Sequence, residues 1–361
     1  MATNDWDMYD YILESKDAVR NIVEHQDEIF GEALDYLEGK SIDRIYIAGS
    51  GTSYHSAFAA RKLIEDKLGI EVTAVYPMEF VDNTRVFTKN ALVIGISHAG
   101  RSTSTIKALD RARELGLATI AMTAERDRPL NDHADVTTYI EIGDEFAGPK
   151  TKGFIGSIAT LDVLGLMLAV RRGVITEEEK GELERKMLAT TDNIPAIADA
   201  AWAWYRENAE DLKRSRRLVV LGCEGNMGAM LEGTLKIWEA VRYAVAGYEL
   251  EEFMHGGYHS IDDKTYMLNL GNPGKHFERM LRMRDYFVKE RGAHCFVIPS
   301  EDKGHRDVDF VFPFQNEPYF SSMEYVVPLQ VIARKLSLDL GIDCNIPSDP
   351  DFHKKMGSYT Y

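Results

Sequence analysis

Cysteine is scarce in this chain. The three present, Cys223, Cys295 and Cys344, are far apart and odd in number. They form no metal-type pair and suggest no disulfide framework, so a reduced cytoplasm is the simple reading. Basic residues are also in deficit: 42 Lys and Arg against 58 Asp and Glu leave a net charge of −16. That balance argues against nucleic acid or an anionic membrane surface as the main partner. A small anionic substrate stays open, because a few cations and backbone amides suffice to hold one phosphate. No apolar run is expected to reach the length of a membrane span. The start, Met1-Ala2-Thr3-Asn4-Asp5-Trp6-Asp7, is acidic and lacks an apolar h-region, so no signal peptide is expected. Low-complexity sequence is missing too. What remains is a hydrophobic content of 45% over 361 residues, enough for two domains with a core each.

The most informative feature present is an internal echo. Arg44-Ile45-Tyr46-Ile47-Ala48-Gly49 recurs as Arg217-Leu218-Val219-Val220-Leu221-Gly222. Leu92-Val93-Ile94-Gly95-Ile96, followed by Gly100, is echoed by Tyr266-Met267-Leu268-Asn269-Leu270, followed by Gly274. Ala118–Met122 is echoed by Ala293–Val297, and Tyr139–Ile142 by Val311–Phe314. A nearly constant offset across four elements implies two similarly built halves. Each half then has its own strand ends, and a cleft between halves is where small ligands usually sit.

Short β-branched runs alternate with helical stretches, which predicts α/β architecture with parallel sheets. Residues 1–40 read as a helical lead-in, and 41–171 as the first α/β domain. Its strands are expected at 45–48, 71–76, 91–96, 118–122 and 137–142, with helices at 53–68, 102–115 and 154–171. Residues 172–215 read as a helical connection. The second α/β domain covers 216–342, with a strand at 218–222 and a helix at 227–246. The tail, 343–361, shows no periodicity and is expected to wrap over a neighbouring surface and close the site.

Two constellations carry chemistry. Gly49-Ser50-Gly51-Thr52-Ser53 lies between a strand and a helix. Small residues let the backbone approach an anion, and a helix N-terminus offers unpaired N–H groups at a positive dipole end. Ser97-His98-Ala99-Gly100-Arg101-Ser102-Thr103 repeats the arrangement after another strand. Ser, Thr and Gly also make ordinary caps and turns. Two such loops at the carboxyl ends of strands favour ligand binding, and one phosphate better than a dinucleotide. The first loop lacks the third glycine of a dinucleotide fingerprint. The second constellation is on helix 227–246, where Glu232, Lys236 and Glu239 share one face by their spacings of four and three. Among Met227, Met230, Leu231, Leu235, Ile237, Trp238 and Val241, such a strip is expected to face a cleft. His255, followed by Gly256 and Gly257, suits acid–base work near neutral pH from a loop.

These motifs resemble the sugar isomerase (SIS) family. They are Gly51-Thr52-Ser53, Ser97-x-x-Gly100-x-Ser102, Thr151-Lys152-x-Phe154, Leu231-Glu232-Gly233-x-Leu235-Lys236-x-x-Glu239 and Glu252-Phe253-x-His255-Gly256. The resemblance covers about residues 40–361. It is similar to the isomerase half of glucosamine-6-phosphate synthases and, through Met78–Thr84 and the aromatic end Tyr359-Thr360-Tyr361, closer to the fructosamine-6-phosphate deglycases.

The resemblance implies two tandem SIS-type αβα domains, the first binding phosphate and the second carrying the catalytic Glu and His. It implies that Gly51, Thr52, Ser53, Ser97, His98 and Ser102 hold a sugar phosphate. Glu239 becomes the general base, Lys236 a substrate-facing lysine and His255 the ring-opening or proton-donating histidine. Lys355 best matches a C-terminal lysine that contacts the open-chain sugar, with Lys354 as competitor. Ala99 stands where a hydroxyl residue is common and His98 where glutamine is. Lys150 adds a cation that suits an acidic or larger substituent on the sugar. The activity implied is cleavage of a 6-phosphorylated sugar–amine conjugate without metal or cofactor, by a cytoplasmic homodimer or larger assembly with shared active sites. An amino-sugar-6-phosphate deaminase, an aldose–ketose isomerase and a non-catalytic sugar-phosphate sensor are the alternatives.

Overall fold

The computed structural model describes residues 7–85, 87–301 and 303–361. The expectation of no signal peptide falls on Met1–Trp6, which lie outside the described residues. In chain order the first elements are α1 (Met8–Glu24), α2 (Gln26–Leu37), β1 (Arg44–Ala48), α3 (Thr52–Leu68), β2 (Glu71–Val75), α4 (Pro77–Asp82), β3 (Ala91–Ile96), α5 (Thr103–Glu114), β4 (Ala118–Thr123), β5 (Val136–Tyr139) and α6 (Lys152–Arg171). There follow α7 (Glu177–Asp192), α8 (Ile194–Leu212), β6 (Arg217–Gly222), α9 (Met227–Val241), β7 (Ala244–Glu249), α10 (Leu250–Phe253), β8 (Tyr266–Gly271), α11 (Phe277–Arg291), β9 (His294–Pro299), α12 (Ser321–Asp339) and α13 (Phe352–Lys355). The chain falls into two units. The first contains Glu14–Glu145, Lys152–Leu188 and Pro347–Tyr361; the second contains Phe146–Thr151, Ala189–Ile346 and the described residues up to Leu13.

The first unit is built on a parallel sheet of order β2-β1-β3-β4-β5. β3 is buried at all six positions, as a strand covered on both faces must be. The side chains of Tyr46, Ala48 and Val93 pack with α4 and α5 through Phe80, Ile106 and Leu109. The other face lies under α3 and α6, which pack along each other. The chain runs outward from β1 to β2, then returns past β1 to β3 and continues to β5. This reversal leaves the carboxyl ends of β1 and β3 adjacent while their loops diverge, the place where α/β sheets bind ligands.

The second unit repeats the plan with a parallel sheet of order β7-β6-β8-β9. Its core includes Leu221, Phe253, Met267, Phe287 and Val297. Here the fourth echo stops short of a strand. Phe310 N donates to Val297 O at 2.9 Å and Phe312 N to Pro299 O at 3.2 Å, but 311–314 is not a strand. Pro313 has no N–H to give to a ladder. In the first unit β5 likewise ends at Tyr139, short of the 142 expected.

Two other expectations are corrected. The helix expected over 227–246 ends at Val241, because Arg242 adopts a left-handed conformation (φ 59°) and closes it with an N–H bond to Trp238 O. Ala244–Glu249 is instead the edge strand β7, paired along its length with β6. A run of Ala and Val fits either state locally, and the non-local pairing decides. Secondly, α6 is long and apolar enough, by length and composition, to cross a membrane, though no run of that length was expected. In the fold nearly all of it is buried within the first unit, as a core helix.

Within α6, Asp162 is wholly buried, and neither carboxylate oxygen has a hydrogen-bond partner among the described residues. Burial alone pushes its pKa well above the carboxylate range. The folded state therefore keeps a proton that the unfolded state loses near pH 3.8, so stability falls as pH rises above that value. Asp162→Asn, which cannot ionise, is expected to raise the melting temperature at pH 7 and to change it little at pH 4. Thermal unfolding at the two pH values checks this.

Candidate functional site

At the carboxyl end of β1, Gly51 caps α3 with φ 54°, a conformation that favours glycine. A side chain at Gly49 would lie 2.8 Å from Ser53 Cβ, so the strand can turn into the helix this tightly only with glycine there. Thr52 opens α3, and Ser53, buried beside it, donates its N–H to Ser50 O. At the end of β3, Gly100 (φ 63°) donates its N–H to Ser97 O at 2.8 Å. Ser97 Oγ accepts the Ser102 N–H at 3.2 Å, which leaves the Ser97 O–H to donate elsewhere. Ser102 caps α5, its Oγ accepting from Thr105 N and Thr105 Oγ1. The His98 carbonyl accepts from Ala124 N and Thr123 Oγ1, tying this loop to the end of β4.

Glu145 is a residue the sequence reading missed. Its buried carboxylate accepts the N–H groups of Lys152 at 3.1 Å and Gly153 at 2.8 Å, a charged cap on the first turn of α6. The Glu145 carboxylate and the His98 ring both lie about 3 Å from where a side chain at Gly153 would begin (3.1 and 2.9 Å). Glu145 stands in a stretch without periodicity, so nothing in the sequence pointed to it. Lys152 in the Thr151-Lys152 motif is buried, with Nζ on Glu14 at 2.6 Å and on Asp144 O at 2.9 Å.

The chain terminus lies on the same loop. Tyr359 forms an antiparallel bridge with Ser102. Thr103 N donates to Ser358 O at 3.1 Å, and Thr360 N donates to Arg101 O at 2.9 Å. His353 stacks on Tyr359 with ring centroids 4.1 Å apart and bonds Ser358 Oγ. Lys355, on α13, is exposed and held by both oxygens of Asp349 at 2.8 and 2.9 Å; Lys354 is exposed as well.

Lys236, Glu239, His255 and Lys150 belong to the second unit. The strip expected to face a cleft is instead mostly interior. Lys236 is 1% exposed and Glu232 0%, and only Glu239 reaches solvent, at 39%. Lys236 Nζ lies 2.9 Å from Glu239 and 3.4 Å from Glu232. Burial pulls the Lys236 pKa down, but the two carboxylates outweigh burial and hold it above its ordinary value. A buried cation thus fixes the orientation of a half-exposed carboxylate. His255 is exposed in the turn that ends α10, its N–H bonded to Glu252 O. The following Gly256 takes φ 155°.

Hydroxyl-bearing strand ends and tight glycine turns mark the first unit of this α/β protein, and a carboxylate held by a buried lysine marks the second. The SIS domain model matches residues 40–167. A solved Clostridium difficile 630 protein, assigned as a phosphosugar isomerase, is 30% identical with a TM-score of 0.91, covering 98% of this chain and 99% of that one. The chain belongs to the SIS domain family. The C-terminal domain of glucosamine-fructose-6-phosphate aminotransferase from Francisella tularensis shares the fold, with a TM-score of 0.83 at 17% identity over 95% of this chain and 99% of that one. The glutamine–fructose-6-phosphate aminotransferase (isomerizing) of Staphylococcus aureus Mu50 is 27% identical over 336 residues, 93% of this chain and 54% of that protein. The chain therefore spans about half the length of the curated relatives it matches.

Truncating Lys236 removes the cation that compensates the buried Glu232 carboxylate. Lys236→Met is expected to cost about 3–5 kcal/mol at pH 8, with part recovered in Lys236→Met/Glu232→Gln. Because the folded pKa is raised, this stabilisation is complete below pH 10.5 and is lost as pH rises through the folded value. Denaturant titrations of the two variants and the parent at pH 8 and above 10.5 check both statements.

Proposed function

We propose that this protein is a sugar-phosphate enzyme that cleaves a 6-phosphorylated sugar–amine conjugate to a hexose 6-phosphate and a free amine. The observation that supports it most is the half-exposed Glu239 carboxylate anchored 2.9 Å from buried Lys236 on an otherwise apolar helix. A base that moves a proton between two carbons must be held still and still reach substrate. The phosphate is held by Ser53, Ser97 and Ser102 with the backbone around Gly51 and Thr52. Binding energy on the phosphate orients the reacting carbons. His98 and Lys150 contact the remaining polar groups of the substrate. Glu239 takes the proton from C1, giving an enaminol, and returns it to C2. The product is an imine at C1. Water adds at C1, the C1–N bond breaks and the amine leaves with a proton. His255 protonates the ring oxygen during opening or the departing amine. Lys355 contacts the open-chain sugar once Asp349 releases it. The C-terminal segment, bridged to Ser102, closes over the bound phosphate. The working form is a homodimer or higher assembly, located in the cytoplasm.

Likeness to the synthases and to an assigned phosphosugar isomerase supports the phosphosugar part of this reading. The choice of a conjugate rests on the Met78–Thr84 segment, the aromatic terminus and the extra cation Lys150. A coupled assay for glucose 6-phosphate release from fructoselysine 6-phosphate, glucoselysine 6-phosphate, fructose-aspartate 6-phosphate and glucosamine 6-phosphate tests it. Release from one conjugate, abolished in Glu239→Gln, is expected. Ammonia from glucosamine 6-phosphate alone would make the protein a deaminase, and inactivity on all four with retained binding would make it a sensor. Deleting residues 357–361 is expected to raise KM at least several-fold with a smaller effect on kcat, measured in the same assay.

A further inference from the structure

The two halves share a positive φ at the same place in the loop where strand order reverses, but carry opposite chemistry there. At the offset of 173, Gly49-Ser50-Gly51-Thr52-Ser53 aligns with Gly222-Cys223-Glu224-Gly225-Asn226. Both positions take a positive φ, 54° at Gly51 and 52° at Glu224, although Thr52 opens α3 at once while Glu224–Asn226 form a short 3-10 turn before α9. A non-glycine residue in that region is uncommon, and glutamate is not one of the residues that tolerate it well. The second loop aligns one residue later, so that Gly100 matches Gly274 and Ser102 matches His276.

The strained residue sends its carboxylate across the gap between the two loops. Glu224 Oε2 accepts a hydrogen bond from Asn272 Nδ2 at 3.1 Å, and Oε1 lies 3.9 Å from His276 Nε2. The carboxylate is so close to Gly274 that any side chain there would collide with it. In the first unit the corresponding approach is made by no such group: Gly100 faces Arg128 and Thr123. Two residues on, Asn226, aligned with Ser53, is wholly buried, and neither amide atom has a hydrogen-bond partner among the described residues. Leaving those groups unsatisfied is destabilising, which is hard to explain in a turn designed for itself alone. The surroundings are acidic. Burial and then Glu224, Glu249 and Glu251 push the Cys223 thiol up to about 12.

We propose that Glu224 is a built-in anion: its partly exposed carboxylate occupies, between the strand-end loops of the second half, the place of a ligand oxyanion in the first, and limits the chain to one phosphate. This rests on reading the first loop pair as the phosphate cradle. Glu224→Gly removes the plug and restores the residue type that the backbone conformation favours, so the fold is expected to survive.

The test is equilibrium dialysis with radiolabelled inorganic phosphate, counting bound phosphate per chain in the full-length protein. The parent is expected to bind one, and Ser53→Ala/Ser97→Ala/Ser102→Ala none. Glu224→Gly is expected to bind one more than its background in both cases. An unchanged count in folded Glu224→Gly, judged by circular dichroism, overturns the proposal. Should that variant not fold, Glu224→Asn, which tolerates the left-handed conformation and shortens the plug, gives the same two outcomes. A parent that binds no phosphate, with the count still rising by one in Glu224→Gly, would refute the first cradle and leave the plug standing.

Discussion

The structure depends on one topological constraint, the reversal of winding after the first strand of each parallel sheet. A parallel strand needs a crossover, and crossovers of one hand place successive helices on one face. Going from β1 to β2 and back past β1 to β3 sends α3 and α5 to opposite faces. The loops that lead into them must part at the strand ends. Nothing in the core can fill that gap, because both sheet faces are already covered. Polar residues gather there, hydroxyls at the ends of β1 and β3 and a carboxylate between the loops after β6 and β8.

The same constraint explains where the glycines lie. Gly49 and Gly222 occur where a strand turns directly into the following helix, and a Cβ there would run into Ser53 or Met230 at 2.8 and 2.7 Å. Gly51 and Gly100 supply positive φ beside the gap between the strand-end loops. Glu224 shows that the conformation can be held without glycine when the side chain gains partners across the gap, here Asn272.

Charge is handled differently in the two units. In the first, Glu145 is drawn in where two helix amides satisfy it, and Lys152 is buried against Glu14 and the Asp144 carbonyl. In the second, Lys236 is taken fully inside, where Glu232 and Glu239 flank it and compensate its charge. That arrangement couples stability to the proposed chemistry, since the cation that compensates a buried carboxylate is also the one that orients the exposed carboxylate. Asp162 has no such compensation and stays protonated instead.

Much was legible in the sequence because it depends on local pattern. The alternation of short apolar runs with helical stretches, the offset near 173, the two hydroxyl-bearing turns and the one-face spacing of Glu232, Lys236 and Glu239 all follow from chain periodicity. Other features answer to contacts far apart in the chain. Ala244–Glu249 became a strand because β6 had an open edge, not because its residues demanded it. The strand expected at 311–314, which would have been the fifth of the second sheet, did not form, and Pro313 cannot enter a ladder. Glu145 as a helix cap, Lys236 as an interior rather than a cleft-facing cation, and Tyr359 paired with Ser102 are likewise set by which surfaces meet. Sequence by itself determined the type of element and the kinds of group available at each strand end. The tertiary structure alone decided which of those groups are desolvated, because burial and pairing are properties of neighbours that the chain brings together only on folding.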